Sequence, residues 1–312
     1  VGAKKSPKLI VIGGPTASGK SALAIKLAQH LARQSQPAEI LSADSITVYR
    51  GFDIGSAKPT EEERGSVPHH LLDLANPNQG FTAGDFLKAA DPLIHGLLSR
   101  GTVPIVAGGT GFYLRALLRG MAGNEEDAEK SAAVKLAIEE RGRTEGFEKL
   151  HRELIAKDPG SAGTIHPKDH YRIVRALQAM EMQGKPWSEL NAQARAAPAR
   201  FPHRYFKIKI ERDELRKRIE TRVAQMLAQG LVEEVEGLLA KGVNPASKPM
   251  QSVGYKETLA FLRGDLAEEE LAPAIVQATC KLAKQQNTWF RGEDLGEWLE
   301  EPYWENLAKA FD

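Results

Sequence analysis

Residues 14–21, Gly-Pro-Thr-Ala-Ser-Gly-Lys-Ser, match the phosphate loop G-x-x-x-x-G-K-[ST] at every fixed position. In such a loop the glycines let backbone amides turn inward on an anion, and the helix that follows adds its positive end. Lys20 brings a mobile charge, and Ser21 a hydroxyl that can ligate magnesium. The motif specifies a polyphosphate; it does not specify a nucleoside. In many enzymes built on this loop a later strand ends in an Asp that helps to hold magnesium. Here the apolar run "TVPIVAGGT" (102–110) ends in Gly108, Gly109 and Thr110, so the group attached to the phosphates has to be read from other residues.

Asp44 closes "AEILSAD" (38–44) at a strand end. Its carboxylate could cap the next turn or join a magnesium sphere. Alternatively it could take a proton from a nucleophile attacking the bound phosphate ester, and neighbouring Ser45, Tyr49 and Arg50 fill the turn with polar groups that suit a substrate. Thr110 can donate to a diphosphate as charge develops, or serve as an ordinary helix N-cap. Arg218 and Arg222 stand one helical turn apart, where like charges repel unless something neutralises them. Glu214, four residues before Arg218, allows a solvated salt-bridged face, and an arginine pair clamping an anion is the alternative. Further basic residues, among them Arg200, Arg204, Lys207 and Lys209, crowd the stretch 200–222. Arg172 and Arg175 form a similar pair, and "KQQNTWFRG" (284–292) mixes Lys284 and Arg291 with Trp289, a basic and aromatic interleaving that suits looped RNA.

These residues need a frame. "KLIVIGG" (8–14) reads as a buried parallel strand, and Leu23, Leu27 and Leu31 form the stripe of a helix after it. "AEILSADS" (38–45) is a second strand and "TVPIVAGGT" another, followed by the helical "GFYLRALLRG". Strands alternating with helices predict an α/β fold, a parallel sheet flanked by helices of the P-loop NTPase kind, with the ligand site at the carboxyl ends of the strands. The loop, Asp44 and Thr110 all fall at such ends. From 121 to 199 the chain is rich in Ala, Glu, Lys and Arg with helical periodicity and reads as an all-helical insertion, leaving 1–120 and 200–312 as the α/β core with C-terminal helices. "YFKIKI" (205–210) alternates as a half-buried strand would, 211–241 reads as one amphipathic helix, and 241–257 as a Gly- and Pro-punctuated loop.

The composition excludes some classes. Over 312 residues, 42 Lys and Arg balance 41 Asp and Glu, so any nucleic-acid surface must be local. One cysteine, Cys280, rules out an intramolecular disulfide and a multi-cysteine metal site, and suits a reducing cytoplasm. No apolar run approaches the roughly 20 residues that span a bilayer, so no membrane is expected. The first six residues lack a leader's apolar core and read as a short loose end. Nothing in the sequence demands more than a monomer.

Taken together, the chain resembles the tRNA dimethylallyltransferase (isopentenyltransferase) family in its bacterial form, from about Lys8 to Gly292. The resemblance rests on "GPTASGKS", "SADSITVYRGFDIGSAKP" (42–59), "PHHLLD" (68–73), "VAGGTGFYLRALLRG" (106–120), "IHPKDHYRIVRALQ" (165–178), "SVGYKE" (252–257) and "AKQQNTWFRG" (283–292). It implies transfer of a dimethylallyl group from its diphosphate to the exocyclic amine of the adenosine 3′ of the anticodon, in tRNAs reading codons that begin with U. On that basis Gly14, Thr16, Ala17, Ser18, Gly19, Lys20 and Ser21 hold the donor's diphosphate beside Arg222, and Mg2+ assists at Ser21. The resemblance makes Asp44 the general base, with Thr110 and Arg218 steadying the departing diphosphate. It assigns to the tRNA anticodon stem-loop Asp44, Ser45, Ile46 and Thr47, then Lys135, Tyr171, Arg172 and Arg175 of the insertion. It further assigns Gln251, Gly254, Tyr255 and Lys256, and finally Lys284, Trp289 and Arg291. Gln286, within the last segment, is expected to leave the diphosphate site untouched.

Three rival readings compete. A prenyltransferase acting on free AMP would share the loop and Asp44 but would not need the insertion or the basic patches. A small-molecule kinase would use Asp44 as base for a hydroxyl. A non-catalytic RNA-binding protein would have no reason to keep Lys20, Ser21, Asp44 and Thr110 together.

Overall fold

The computed structural model describes residues 8–122, 128–161 and 163–311. The amino-terminal stretch and positions 123–127, at the start of the insertion read from the sequence, lie outside the described residues. Strand β1 (Leu9–Gly13) leads through the phosphate loop into α1 (Lys20–Arg33), and β2 (Ala38–Ser42) follows. The short α2 (Glu61–Arg64) and β3 (His69–His70) precede α3 (Ala83–Ser99), β4 (Val103–Gly108) and α4 (Gly111–Arg119). Four helices come next: α5 (Ala128–Glu145), α6 (Phe147–Lys157), α7 (His170–Gln183) and α8 (Trp187–Ala196). The sheet resumes with β5 (His203–Ile208), and α9 (Arg212–Ala228), α10 (Leu231–Ala240), α11 (Tyr255–Leu262) and α12 (Glu268–Arg291) follow. Strand β6 (Glu297–Leu299) and α13 (Tyr303–Ala308) complete the order.

The six strands lie in the order β3-β2-β4-β1-β5-β6, and every pairing is parallel. This is the expected α/β sheet flanked by helices. All five residues of β1 are buried, as a strand covered on both faces requires. Ile10 and Ile12 pack with Leu23, Leu27 and Leu31 of α1, the stripe legible in the sequence. A separate core joins Tyr49 and Phe52 to Ile219 and Val223 of α9, Val235 of α10, Tyr255 of α11 and Ile275 of α12. Each such side chain contributes roughly 1.5–3 kcal/mol by leaving water, which fixes the loop after β2 against the C-terminal helices.

Three sequence expectations are corrected. The stretch 211–241 is two helices, because Gly230 at φ 97° turns the chain between α9 and α10 in a conformation that suits glycine. Strand β5 runs His203–Ile208 and is buried over its last four positions, Lys207 included. The Lys207 ammonium donates to the Glu293 carbonyl at 2.7 Å, and Arg204 lies over the rings of Phe206 and Phe311. The basic residues of 200–222 are therefore spent in different places and form no single patch. Strands β3 and β6 pass unseen in the sequence because two or three residues show no period.

The chain divides into two compact units, Val1–Leu117 with Phe201–Asp312, and Leu118–Arg200. The second unit is helical, with Ile138, Leu150, Leu154, Ile173 and Leu177 in its own core. Among the described residues no helix is long and apolar enough to cross a membrane.

Candidate active site

A cleft opens at the carboxyl ends of β1, β2 and β4. The phosphate loop and α1 supply Thr16, Lys20 and Ser21, the end of β2 supplies Ser42, Asp44 and Thr47, and β4 supplies Gly108. Helix α9 contributes Arg222, Val223 and Met226, and α12 contributes Ile275, Leu282 and Gln286. The loop achieves its turn with Ala17 at φ 60° and Gly19 at φ 85°. A left-handed alanine is costly and recurs where a site needs its backbone amides aimed.

Lys20 donates to the Pro15 carbonyl at 3.2 Å. Burial lowers its pKa to about 8, with the Asp44 charge opposing that shift and Arg222 adding to it. Arg222 is pulled down by burial too, again against the charge of Asp44, and its Nη1 donates to Thr16 Oγ1 at 3.2 Å. Both cations are half-buried and line the cleft, where an anion would offset the cost of their burial. Arg218 stands differently: it donates to Glu214 at 2.7 Å and to Glu301 at 3.2 Å, with Nη1 beside Gly19. The solvated salt-bridged reading thus describes Arg218 as it rests here, and Arg222 is the member of the pair that lines the cleft.

Asp44 caps its turn and lines the cleft. Its Oδ1 accepts from the Ile46 amide at 2.8 Å and from the Thr47 amide at 3.4 Å, which caps the turn and holds the carboxylate in the cleft. Thr110 stands directly before α4, yet its Oγ1 accepts from the Ser45 amide at 3.1 Å, the residue after Asp44. Thr47 is buried and its hydroxyl pairs with Ser42 at 3.0 Å.

Several contributors escape the sequence reading. Gln286 is bonded to the phosphate loop itself: its Oε1 accepts from the Thr16 amide at 2.8 Å and its Nε2 donates to the Gly109 carbonyl at 3.0 Å. The basic and aromatic residues around it in "AKQQNTWFRG" drew that segment toward RNA. Ile46, Val223, Met226, Ile275 and Leu282 give the cleft an apolar wall, which hides in ordinary helical stripes. Glu234 accepts from the amides of Asp53, Ile54 and Gly55 and from the Tyr255 hydroxyl, pinning the cleft-lining loop after β2. One polar end and one apolar wall make the cleft complementary to a diphosphate carrying a short hydrocarbon.

Of the residues assigned to RNA, Gln251, Lys256, Lys284 and Arg291 are exposed, and Gly254 lines the cleft. Tyr255 is fully buried with its hydroxyl on Glu234 at 2.6 Å, so it backs the wall that Gly254 presents. Trp289 is half-buried under the Arg115 guanidinium, 4.1 Å from the ring centre. In the helical unit Tyr171 is 65% exposed, Arg172 pairs with Asp169, Arg175 donates to Gln178, and Lys135 faces Glu139.

Among the described residues no group of three His, Cys, Asp or Glu side chains could cage a metal. Magnesium suits such a place, since it takes few protein ligands and draws the rest from substrate phosphates and water. The Ser21 hydroxyl, opening on the cleft beside Lys20, fits that role.

Residues 47–293 match the family model described as IPP transferase. The chain is 46% identical to tRNA dimethylallyltransferase 1 of Trichlorobacter lovleyi, over 97% of this chain and 96% of that protein. It is 42% identical to the tRNA dimethylallyltransferase of Geobacter sulfurreducens, over 95% and 92%. Among solved structures it is similar to a tRNA isopentenylpyrophosphate transferase from Staphylococcus epidermidis (TM-score 0.69, 36% identity, 98% of this chain and 97% of the other). It is also similar to a eukaryotic dimethylallyltransferase acting on tRNA (TM-score 0.79, 25% identity, 98% and 78%).

Proposed function

This chain belongs to the IPP transferase family and has tRNA dimethylallyltransferase activity, and we propose that the cleft at the ends of β1, β2 and β4 carries out the transfer. The observation that carries this reading is the meeting, in one cleft, of the phosphate loop, the Asp44 carboxylate and an apolar wall. The acceptor is the exocyclic amine of the adenosine 3′ of the anticodon, in tRNAs reading codons that begin with U.

The donor's diphosphate lies on the amides of 19–21, between Lys20 and Arg222, and its dimethylallyl group lies against Val223, Met226 and Ile275. Ser21 would hold Mg2+ against the diphosphate, and the ion supplies charge neutralisation for the leaving group. The amine nitrogen forms a bond to the allylic carbon as the carbon–oxygen bond to diphosphate breaks. Asp44 takes the amine's proton, and the electron pair leaves with the diphosphate. An aromatic amine is a poor nucleophile, so a base acting as the bond forms contributes roughly 10²–10⁴-fold. Lys20 and Arg222 meet the charge that develops on the departing oxygen, with Arg218 at the rim. No γ-phosphate is attacked by water, which accounts for a strand that ends in Gly-Gly-Thr.

The acceptor base has to leave its stack to reach Asp44. The helical unit 118–200, through Tyr171, Arg172, Arg175 and Lys135, is proposed to hold the anticodon stem, while Gln251, Lys256, Lys284 and Arg291 receive the loop. The protein is taken to act as a monomer in the cytoplasm. Incubation with Mg2+, dimethylallyl diphosphate and either unmodified tRNA or AMP tests the reading by mass. A prenyl mass on AMP and none on tRNA would sink it.

A further inference from the structure

We propose that Gln286 is a positioning residue that sets the spacing between the leaving-group cradle and the base. The inference rests on the transfer reading above and goes beyond it, because it assigns to the phosphate site a residue that the sequence places among RNA contacts.

The side-chain amide of Gln286 is used at both ends. Its oxygen accepts from the Thr16 amide at 2.8 Å and its nitrogen donates to the Gly109 carbonyl at 3.0 Å. The two partners demand opposite characters, a donor on the loop and an acceptor on the strand end, so only one orientation of the amide satisfies both. The side-chain amide packs closely on the strand end. A Cβ on Gly109 would stand 2.6 Å from Gln286 Nε2, 3.4 Å from the Gly14 carbonyl and 3.5 Å from Lys20 Nζ.

What Gln286 joins gives it a function. Thr16 belongs to the loop that cradles the diphosphate, and its hydroxyl is already fixed by Arg222. Gly109 precedes Thr110, whose hydroxyl receives the amide of Ser45, and Ser45 follows the base Asp44. Phosphate loop, β4 turn and Asp44 turn are thus tied in series through one glutamine on α12. Displacement at the allylic carbon needs amine, carbon and departing oxygen in line between those ends. A misplacement on the order of 1 Å costs up to ~10²-fold in such a reaction. Gln286 touches neither the reacting amine nor the allylic carbon in this arrangement; it acts through the backbone on either side.

The test uses the full chain with unmodified tRNA, dimethylallyl diphosphate and Mg2+, comparing wild type with Gln286→Met, which keeps the length and removes both hydrogen bonds. Expected is a fall of roughly 10- to 100-fold in the single-turnover rate at saturating substrates. Thermal midpoint and tRNA affinity should stay close to wild type, and pyrophosphate affinity should fall by no more than a few fold. Gln286→Asn carries both groups on a stem one methylene shorter, so it should give an intermediate rate; it serves as the measured variant should the Met form not fold. An unchanged rate overturns the inference. So does a loss confined to tRNA affinity, which would return Gln286 to the RNA contacts. Absence of prenyl transfer in wild type itself marks failure of the transfer reading, separately from failure of this one.

Discussion

The backbone amide of Ser45 donates to the Thr110 hydroxyl at 3.1 Å, and this bond makes the end of β4 a support for the turn that holds Asp44. Thr110 therefore has a duty in the resting enzyme in addition to any donation to diphosphate. Thr110→Val keeps the shape and strands the Ser45 amide, at a cost on the order of 1–3 kcal/mol. The expected outcome is a single-turnover rate down about tenfold or more, with Thr110→Ser close to wild type. Equal rates for Val and Ser would show that the hydroxyl is idle.

Asp44 combines turn-capping with a place in the cleft, so its two roles must be separated by choice of variant. Asp44→Asn preserves an oxygen for the Ile46 and Thr47 amides while removing the base. It should lower the single-turnover rate by roughly 10²–10⁴-fold and leave tRNA affinity within a few fold. Weakened tRNA binding with intact chemistry would assign Asp44 to docking.

Lys20 gives the site a pH signature. Burial lowers its pKa to about 8, so in the free enzyme the charged form predominates below that value and is lost above it. A diphosphate binds the charged form, which raises the pKa and draws a proton onto the lysine. The kcat/KM for the donor should therefore hold below pH 8 and fall toward tenfold per pH unit above it. Donor-binding calorimetry near pH 8.5 in buffers of different ionisation enthalpy should register proton uptake. A donor kcat/KM that is flat from pH 7 to 9.5 would contradict the assignment.

Glu234 accepts from three consecutive backbone amides, at 3.1, 2.7 and 3.2 Å, and from Tyr255 at 2.6 Å. Removing the carboxylate strands the partly buried amides of Ile54 and Gly55 and the Tyr255 hydroxyl. Glu234→Ala should destabilise by on the order of 3 kcal/mol, against about 1 kcal/mol for Tyr255→Phe. Denaturant midpoints at constant slope measure the difference, and similar losses for the two would make the amide cradle incidental.

The sheet and the phosphate-loop end of the cleft are legible because their signals are local. Buried parallel strands are continuous apolar runs, and the phosphate loop is a fixed spacing. Asp44 and Thr110 stand at strand ends, where the parallel topology brings them together. Gln286 and Glu234 are not legible, since each meets its partners across long sequence separations and neither glutamine nor glutamate on a helix announces an inward role. Lys207 misleads for the same reason: its charge suggests surface, while the Glu293 carbonyl holds it in the interior. The break at Gly230 was available as a residue type, but the apolar stripe runs on through both helices and masks it.

Arg218 and Arg222 look equivalent in sequence, and their surroundings separate them. Arg218 is already neutralised by Glu214 and Glu301, so a diphosphate must compete with two carboxylates for it. Arg222 is half-buried and bonded to Thr16, with that burial pulling its pKa down, and an incoming diphosphate relieves that cost. Pyrophosphate affinity, measured in Mg2+ on each variant, should fall by about 100-fold for Arg222→Met, in line with a charge-assisted pair of roughly 2–3 kcal/mol. For Arg218→Met the loss should be about tenfold or less, because loss of the arginine also frees two carboxylates that water can solvate. Equal losses would restore the symmetric clamp, and a larger loss from Arg218 would mean that its carboxylate partners release it when the diphosphate arrives.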